Sequence, residues 1–225
     1  MVVLATKLYV GGDAKQRSLD SLTSLVENDL ADLEVEFTVG LRDDGFPSVT
    51  ITGEDAAVAR NLLAEEWGAV TPHRDAGETY VGTLESWDDE GFVLDAGEPV
   101  RIPTDELGLG QGSPAQIRRR FGLVQHMPLR FVEGEADEPA RLADDERDRL
   151  YEWTRGTDRV NVNSATRAEV RATVNRAGHA EDIVTVERLG LLEQSIICRE
   201  ETDGPGLLSD IGPHLRSELL VVVTD

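Results

Sequence analysis

Apolar residues in this 225-residue chain come in short runs, spaced at every second position or at every third and fourth, with glycine- and aspartate-rich turns between them. No run approaches the ~20 residues that a bilayer crossing needs. A chain patterned in this way has to build its interior from short strands and amphipathic helices laid in layers, in modules of modest size. The opening Met1-Val2-Val3-Leu4-Ala5 carries no basic leader and is soon interrupted by Lys7. The expectation is a soluble, cytoplasmic protein with no membrane partner.

Residues 1–74 read as a βαββα module. Val2 to Val10 is a strand candidate, and Leu19, Leu22, Val26 and Leu30 recur at helical spacing. Leu33, Val35, Phe37 and Val39 alternate as a half-buried strand does. Arg42-Asp43-Asp44-Gly45 closes a hairpin, because Asp-Gly supplies the positive φ that tight turns require, and Phe46 to Thr52 returns beside it. Gly53-Glu54-Asp55 then opens a helix carrying Ala56 to Trp67.

Residues 75–135 change character. Tyr80 to Leu84, Gly91 to Leu94 and Val100 to Pro103 are short strands separated by Gly-containing turns, the pattern of a small β-barrel. Ser113 as N-cap and Pro114 at the first position open a helix that runs through Phe121, and Met127 to Val132 is a closing strand. In this order of strands, and in Gly91-Phe92-Val93-Leu94-Asp95, the stretch resembles an OB or S1-like barrel. Residues 136–158 read as a charged helical linker, with Arg141 to Trp153 as its helix.

Residues 159–225 follow the order βαββαβ of a ferredoxin-like module. Arg159 to Asn163 is the first strand, Ser164 caps a helix from Ala165 to Ala177, and Gly178 ends it. Ile183 to Leu189 and Ser195 to Arg199 pair as a hairpin, and Leu207 to Leu215 is a short helix. Leu219 to Val223 is continuously apolar, as suits a strand buried on both faces. The fold class is α+β throughout.

Three segments carry a resemblance across nearly the whole chain: Glu106-Leu107-Gly108-Leu109-Gly110, Arg119-Arg120-Phe121-Gly122-Leu123-Val124, and Thr202-Asp203-Gly204-Pro205-Gly206-Leu207-Leu208 with Ile211-Gly212. By these the chain resembles an uncharacterised archaeal family as it occurs in haloarchaea, domain of unknown function 2110. The resemblance implies no known activity and carries over no functional residue.

Charge bears on function. Asp plus Glu number 44 against 22 Lys plus Arg, a net charge of -22, and Lys7 and Lys15 are the only lysines. Carboxylates hold water and hydrated cations where bulk water is scarce, whereas each lysine adds a flexible apolar stem, so the bias reads as halophilic adaptation. Against this background Leu107 to Val132 contains no acidic residue, where about five are expected from the chain average. Arg118, Arg119, Arg120 and Arg130 sit inside that window, a positive island able to dock an anion or a phosphate backbone. The other use of the same arginines is pairing with acids of the Asp88-Asp89-Glu90 turn or of the stretch from Glu133 to Asp148. At about 1 M salt the screening length is only ~3 Å, so stacking and hydrogen bonds would have to carry affinity. Tyr80 and Trp87 are the stacking candidates, whereas Phe92 and Phe121 read as core.

A second polar cluster runs from Arg155 to Arg167. Its Asn161-Val162-Asn163-Ser164-Ala165-Thr166 looks like the opening of a helix-hairpin-helix DNA-binding motif, but the glycine-rich hairpin is missing after Val174, which leaves a capped strand-to-helix junction. The four histidines share no ligand spacing, Cys198 is the single cysteine, and Gly108, Gly110 and Gly112 do not open a Rossmann helix. No catalytic residue, metal site or cofactor is expected. The reading is a non-catalytic nucleic-acid-associated protein, binding RNA or a ribonucleoprotein through the central barrel. The alternative is an assembly factor whose ferredoxin-like modules pair with a protein partner or a second copy, with no nucleic acid involved.

The acid excess yields a first prediction. Carboxylates repelling one another across a small surface need screening, so stability should rise steeply with KCl, with the chain expanded below about 0.2 M and cooperatively folded above about 1 M. Far-UV circular dichroism across a KCl series measures this. Fully folded spectra in low-salt buffer would show that the acid excess is not a folding requirement.

Overall fold

The computed structural model describes residues 1–135 and 138–224. It is a mixed α+β structure with three separate sheets, one for each stretch of pattern read above. The sequence-predicted linker 136–158 begins on two residues that lie outside the described ones.

In the first stretch β1 (Val2–Val3), α1 (Gly12–Asp29), β2 (Val35–Leu41), β3 (Pro47–Gly53) and α2 (Ala56–Trp67) follow one another. The sheet is antiparallel in the order β1-β3-β2. Side chains of β2 alternate between half-buried and exposed, as the apolar alternation requires. The turn at Asp44-Gly45 is closed by the Gly45 amide on the Arg42 carbonyl, with Gly45 at φ 87°. The expected strand from Val2 to Val10 is much shorter. Beyond Val3 the backbone leaves the ladder, and residues 6 to 9 bond to other parts of the chain: Thr6 Oγ1 accepts from the Leu191 amide, Lys7 reaches Glu85 and Asp95, and Tyr9 donates to Glu193.

The second sheet has five strands: β4 (Thr79–Asp88), β5 (Gly91–Asp95), β6 (Pro99–Pro103), β7 (Pro128–Val132) and β8 (Arg141–Leu142), antiparallel in the order β6-β5-β4-β7-β8. Its two edges, β6 and β8, come within 8 Å of one another at Cα, so the sheet curls into a half-barrel. Helix α3 (Pro114–Arg120) starts with the expected cap, Ser113 accepting from the Gln116 amide while Gln116 Oε1 accepts from the Ser113 amide in return. Phe92, Phe121 and Phe131 are fully buried in this core. The charged stretch expected as a linker joins the same core: β8 pairs with β7, and helix α4 (Asp144–Trp153) buries Leu150 and Trp153 there.

The third sheet is built from β9 (Arg159–Val162), α5 (Arg167–Arg176), β10 (Ile183–Arg188), β11 (Gln194–Cys198), α6 (Gly204–Ile211) and β12 (Leu219–Val222). Its strands are antiparallel in the order β10-β11-β9-β12. The cap of α5 is Thr166 rather than Ser164, with Glu169 closing the reciprocal bond. Ser164 instead turns the chain at φ 58°. Helix α6 begins at Gly204, three residues before the expected Leu207, because Pro205 suits the first helical turn. Strand β12 lies at a sheet edge, yet both its faces are covered: Leu219 and Val221 pack on the third core, Leu220 and Val222 on the half-barrel core.

The three parts meet around Tyr9. Its hydroxyl donates to Glu193 Oε1 at 2.6 Å and accepts from the Ser164 amide at 2.9 Å, while its ring stacks on His126 at 3.8 Å between centroids. Beside it, burial pushes the Glu85 carboxyl up, but hydrogen bonds from His126 and Lys7 prevail and hold it at about 2. Glu193 is fully buried, its Oε2 has no hydrogen-bond partner among the described residues, and burial pushes its carboxyl up to about 8. Gly190 is required here, since a Cβ at that position would collide with Glu193 Oε2.

Glu193 therefore makes stability depend on pH. Its ordinary value is 4.5, so between about pH 4.5 and about 8 the folded state holds a proton that the unfolded state has released. Stability falls as pH rises through that window. Glu193→Gln should remove this loss, gaining on the order of a few kcal/mol relative to the native chain at about pH 9 and little at about pH 4. Urea denaturation at fixed KCl checks it, and an equal effect at both pH values would show that Glu193 is charged in the folded protein.

Candidate anion-binding groove

Arginines far apart in sequence converge on one depression. Arg149 lies on α4, Arg159 opens β9, Arg167 opens α5, and Arg188 is the last residue of β10. Together with Glu152 and Glu187 they line a concavity of about 550 Å³, floored in part by Trp153 and Leu189. Four guanidinium groups against two carboxylates is the reverse of the chain's overall balance. Glu146 and Glu66, which pair with Arg149 and Arg188 from outside this lining, bring the carboxylates to four, so the depression is rich in guanidinium groups rather than in net positive charge.

Aromatic rings position these groups. The Trp153 ring, itself 5% exposed, has the Arg149 guanidinium 5.0 Å and the Arg159 guanidinium 4.5 Å from its centroid. The Arg188 guanidinium lies 4.0 Å from the Trp67 ring of α2. Each also has a carboxylate neighbour: Glu146 for Arg149, Glu187 at 3.6 Å for Arg159, and Glu66 for Arg188. Nε of Arg149, Nε of Arg159 and Nη1 of Arg188 are buried without a hydrogen-bond partner among the described residues, as is Nε of Arg118. Burial holds the Arg159 guanidinium below its ordinary value, and the neighbouring Arg149 acts in the same direction. An anion in the depression would meet the exposed parts of these side chains rather than the buried atoms, and would offset the like-charge repulsion between Arg149 and Arg159.

Arg167 stands at a position that helix stability disfavours. It occupies the first residue of α5, where the exposed amides carry partial positive charge and a cation is repelled. It is exposed and forms no ion pair among the described residues. Guanidinium groups stay charged and can hold and orient an anion, which is the chemistry these side chains offer. Among the described residues no cluster of three or more His, Cys, Asp or Glu side chains is placed to hold a metal ion.

The residues singled out by the acid-free window lie mostly elsewhere. Arg118 is 7% exposed and committed to the interior: it donates to the Leu123 carbonyl at 2.8 Å, pairs with Glu218, and stacks on Trp87 at 3.8 Å. That stack covers a face of Trp87 as well. Arg120 is tied to the carbonyls of Leu109 and Gln111, and Arg130 pairs with Asp145 at 3.1 Å. Arg119 is exposed, with no ion pair among the described residues. Tyr80 is half-buried, its hydroxyl accepting from the Asp75 amide and its ring 6.1 Å from Phe131. Of these six, Arg118 and Trp87 are in contact, and Arg130 borders a smaller cavity that also has Arg149 and Arg188 in its wall.

Sequence reading missed Arg149 and Arg188 because each is flanked by acids, in Asp145-Glu146-Arg147-Asp148-Arg149 and in Glu187-Arg188. Arg159 and Arg167 belong to the second polar cluster, the one signal that pointed to this place. Among curated proteins none matches the chain. Three family models match it end to end, the DUF2110 N-terminal domain over residues 1–73, the DUF2110 central domain over 74–154 and the DUF2110 C-terminal domain over 157–223. With nearly every residue covered in that order, the chain belongs to the DUF2110 family.

Proposed function

We propose that the protein is a non-catalytic, nucleic-acid-associated protein that holds RNA phosphates in the groove of Arg149, Arg159, Arg167 and Arg188. One observation carries the reading: four arginines against two carboxylates line one depression of a protein whose net charge is -22. The half-barrel, read as OB-like, and the β10-β11-β9-β12 sheet with two helices, read as ferredoxin-like, add fold-level analogy to RNA-associated modules. In this reading the binding surface moves from the barrel and α3 to the third sheet and α4. Arg118 then serves as a structural bolt.

A second reading rests on β12, which lies at a sheet edge and so offers an unpaired strand to a protein partner or a second copy. Light scattering at high salt that finds a strict monomer, with no protein retained in a pull-down, would remove its support.

For the RNA reading, Arg167→Gln combined with Arg188→Gln should weaken binding of single-stranded RNA at least tenfold at about 0.5 M KCl. It should also flatten the log-log salt dependence by about 0.7 for each phosphate of the single strand that is no longer neutralised. Arg119→Gln should leave affinity within about twofold of the native protein, and circular dichroism confirms that each variant is folded. Weakening confined to Arg119→Gln would return the binding surface to α3.

A further inference from the structure

The groove extends beyond its four arginines. A second concavity, of about 570 Å³, shares Arg167 and Arg188 with the first and adds Arg171, one helical turn along α5, with Asp29 of α1 also in its wall. The smaller cavity, of about 130 Å³, shares Arg149 and Arg188 and adds Arg130. Arg188 is thus a wall of all three spaces. Within the two larger spaces five arginines face three carboxylates, Asp29, Glu152 and Glu187. Arg171 is exposed and, like Arg167, forms no ion pair among the described residues.

The aromatic groups of this path are closed to a ligand. Trp153 and Trp67 are 5% and 6% exposed, and each already has a guanidinium over its ring. A base therefore finds no free face to stack on, although stacking is the usual source of affinity for single strands. What remains is a row of fork-shaped cationic donors, which match phosphate oxygens and say nothing about base identity.

We propose that the path from Arg171 through Arg167 and Arg188 to Arg149 and Arg159 holds consecutive phosphates of one RNA strand and reads no bases. This rests on the RNA reading above and specifies it: a linear polyanion rather than a single phosphate, recognised by its backbone alone. Direct hydrogen bonds from exposed guanidinium N–H groups, those of Arg167 and Arg171 foremost, would preserve affinity where screening shortens to ~3 Å at about 1 M salt. The probes are fluorescent oligoadenylates and oligouridylates, from two to about ten nucleotides, measured by anisotropy on the full chain at about 0.5 M KCl. Affinity should rise at least tenfold over that range of length, and the adenylate and uridylate series should agree within about threefold. Arg171→Gln should weaken the longest ligand at least threefold, whereas Arg171→Lys, which keeps the charge, should recover part of that affinity. Equal affinity at every length, or an Arg171→Gln variant that binds the longest ligand unchanged, would overturn the path while leaving a phosphate site at Arg188. A preference above tenfold between the two series would overturn backbone-only recognition. No binding of any RNA would remove the functional reading itself.

Discussion

The hydroxyl of Tyr9 is the point on which the arrangement of the three sheets depends. It gives its proton to a fully buried carboxyl of the third part, takes an amide hydrogen from the same part, and lays its ring on a histidine of the second. The first part reaches this position only because its opening strand stops after Val3, which frees residues 6 to 9 to cross over. The exchange runs both ways, for Leu191 and Leu192, in the turn between β10 and β11, are buried in the core of the first part. Of the three described residues held at positive φ without being glycine, His126 at 68° and Ser164 at 58° touch this junction, and Glu201 does not belong to it. Each such conformation costs on the order of 1–3 kcal/mol and persists where its surroundings fix it. The junction supplies that fixing, so local strain at two loops and burial of one acid are joint consequences of bringing three sheets together.

Arginine does two different jobs in this molecule, and its surroundings decide which. Arg118 has its guanidinium bonded to a carbonyl and a carboxylate and stacked on Trp87, and together with the Asn161 side chain on the Gly122 carbonyl it fastens α3 to the third sheet. Arg149, Arg159 and Arg188 use the same stacking on tryptophan, and like Arg118 each keeps one buried donor without a partner among the described residues; the difference is that they line an open depression. A planar, weakly hydrated cation tolerates both environments, whereas a lysine ammonium in either would have to be stripped of tightly held water. This gives the near-absence of lysine a structural consequence beyond solubility.

Much of the fold was legible because it is locally encoded. The alternation from Val35 to Leu41, the Asp44-Gly45 turn, and the Ser113-Pro114 start of α3 each have a short-range cause and appear in the structure where that cause places them. What could not be read depends on distant partners. The Val2–Val10 segment has strand-like residues throughout, but the ladder ends where Thr6, Lys7 and Tyr9 meet groups up to 185 positions away. The stretch 138–158 looks like a solvated linker because its acids dominate, while the Leu150 and Trp153 that insert it into the half-barrel core are sparse. The continuous apolar run of β12 was correctly a sign of two covered faces, but its second cover is another core rather than another strand layer. The groove was the least legible feature of all. A window scan finds arginines that are neighbours in sequence, and here those neighbours, Arg118 and Arg120, are bonded into the fold, whereas Arg149, Arg159, Arg167 and Arg188 are assembled by the third sheet and α4.

The acid excess and the arginine groove then belong to one electrostatic design. A net charge of -22 repels any polyanion at distances within the screening length, so casual association of nucleic acid with most of this surface is disfavoured at low salt. Where salt shortens that length to a few ångströms, distant repulsion fades and only groups that touch a ligand count. Guanidinium groups already held over tryptophan rings would form a bond to a ligand with little further ordering of the side chain, which is what the reading proposed for the groove needs. Pairs such as Arg130 with Asp145 and Arg101 with Asp88 neutralise single arginines on this surface, and Glu66, Glu146 and Glu187 do the same for Arg188, Arg149 and Arg159. Arg167 and Arg171 form no ion pair among the described residues, so an arriving polyanion would meet uncompensated charge there first.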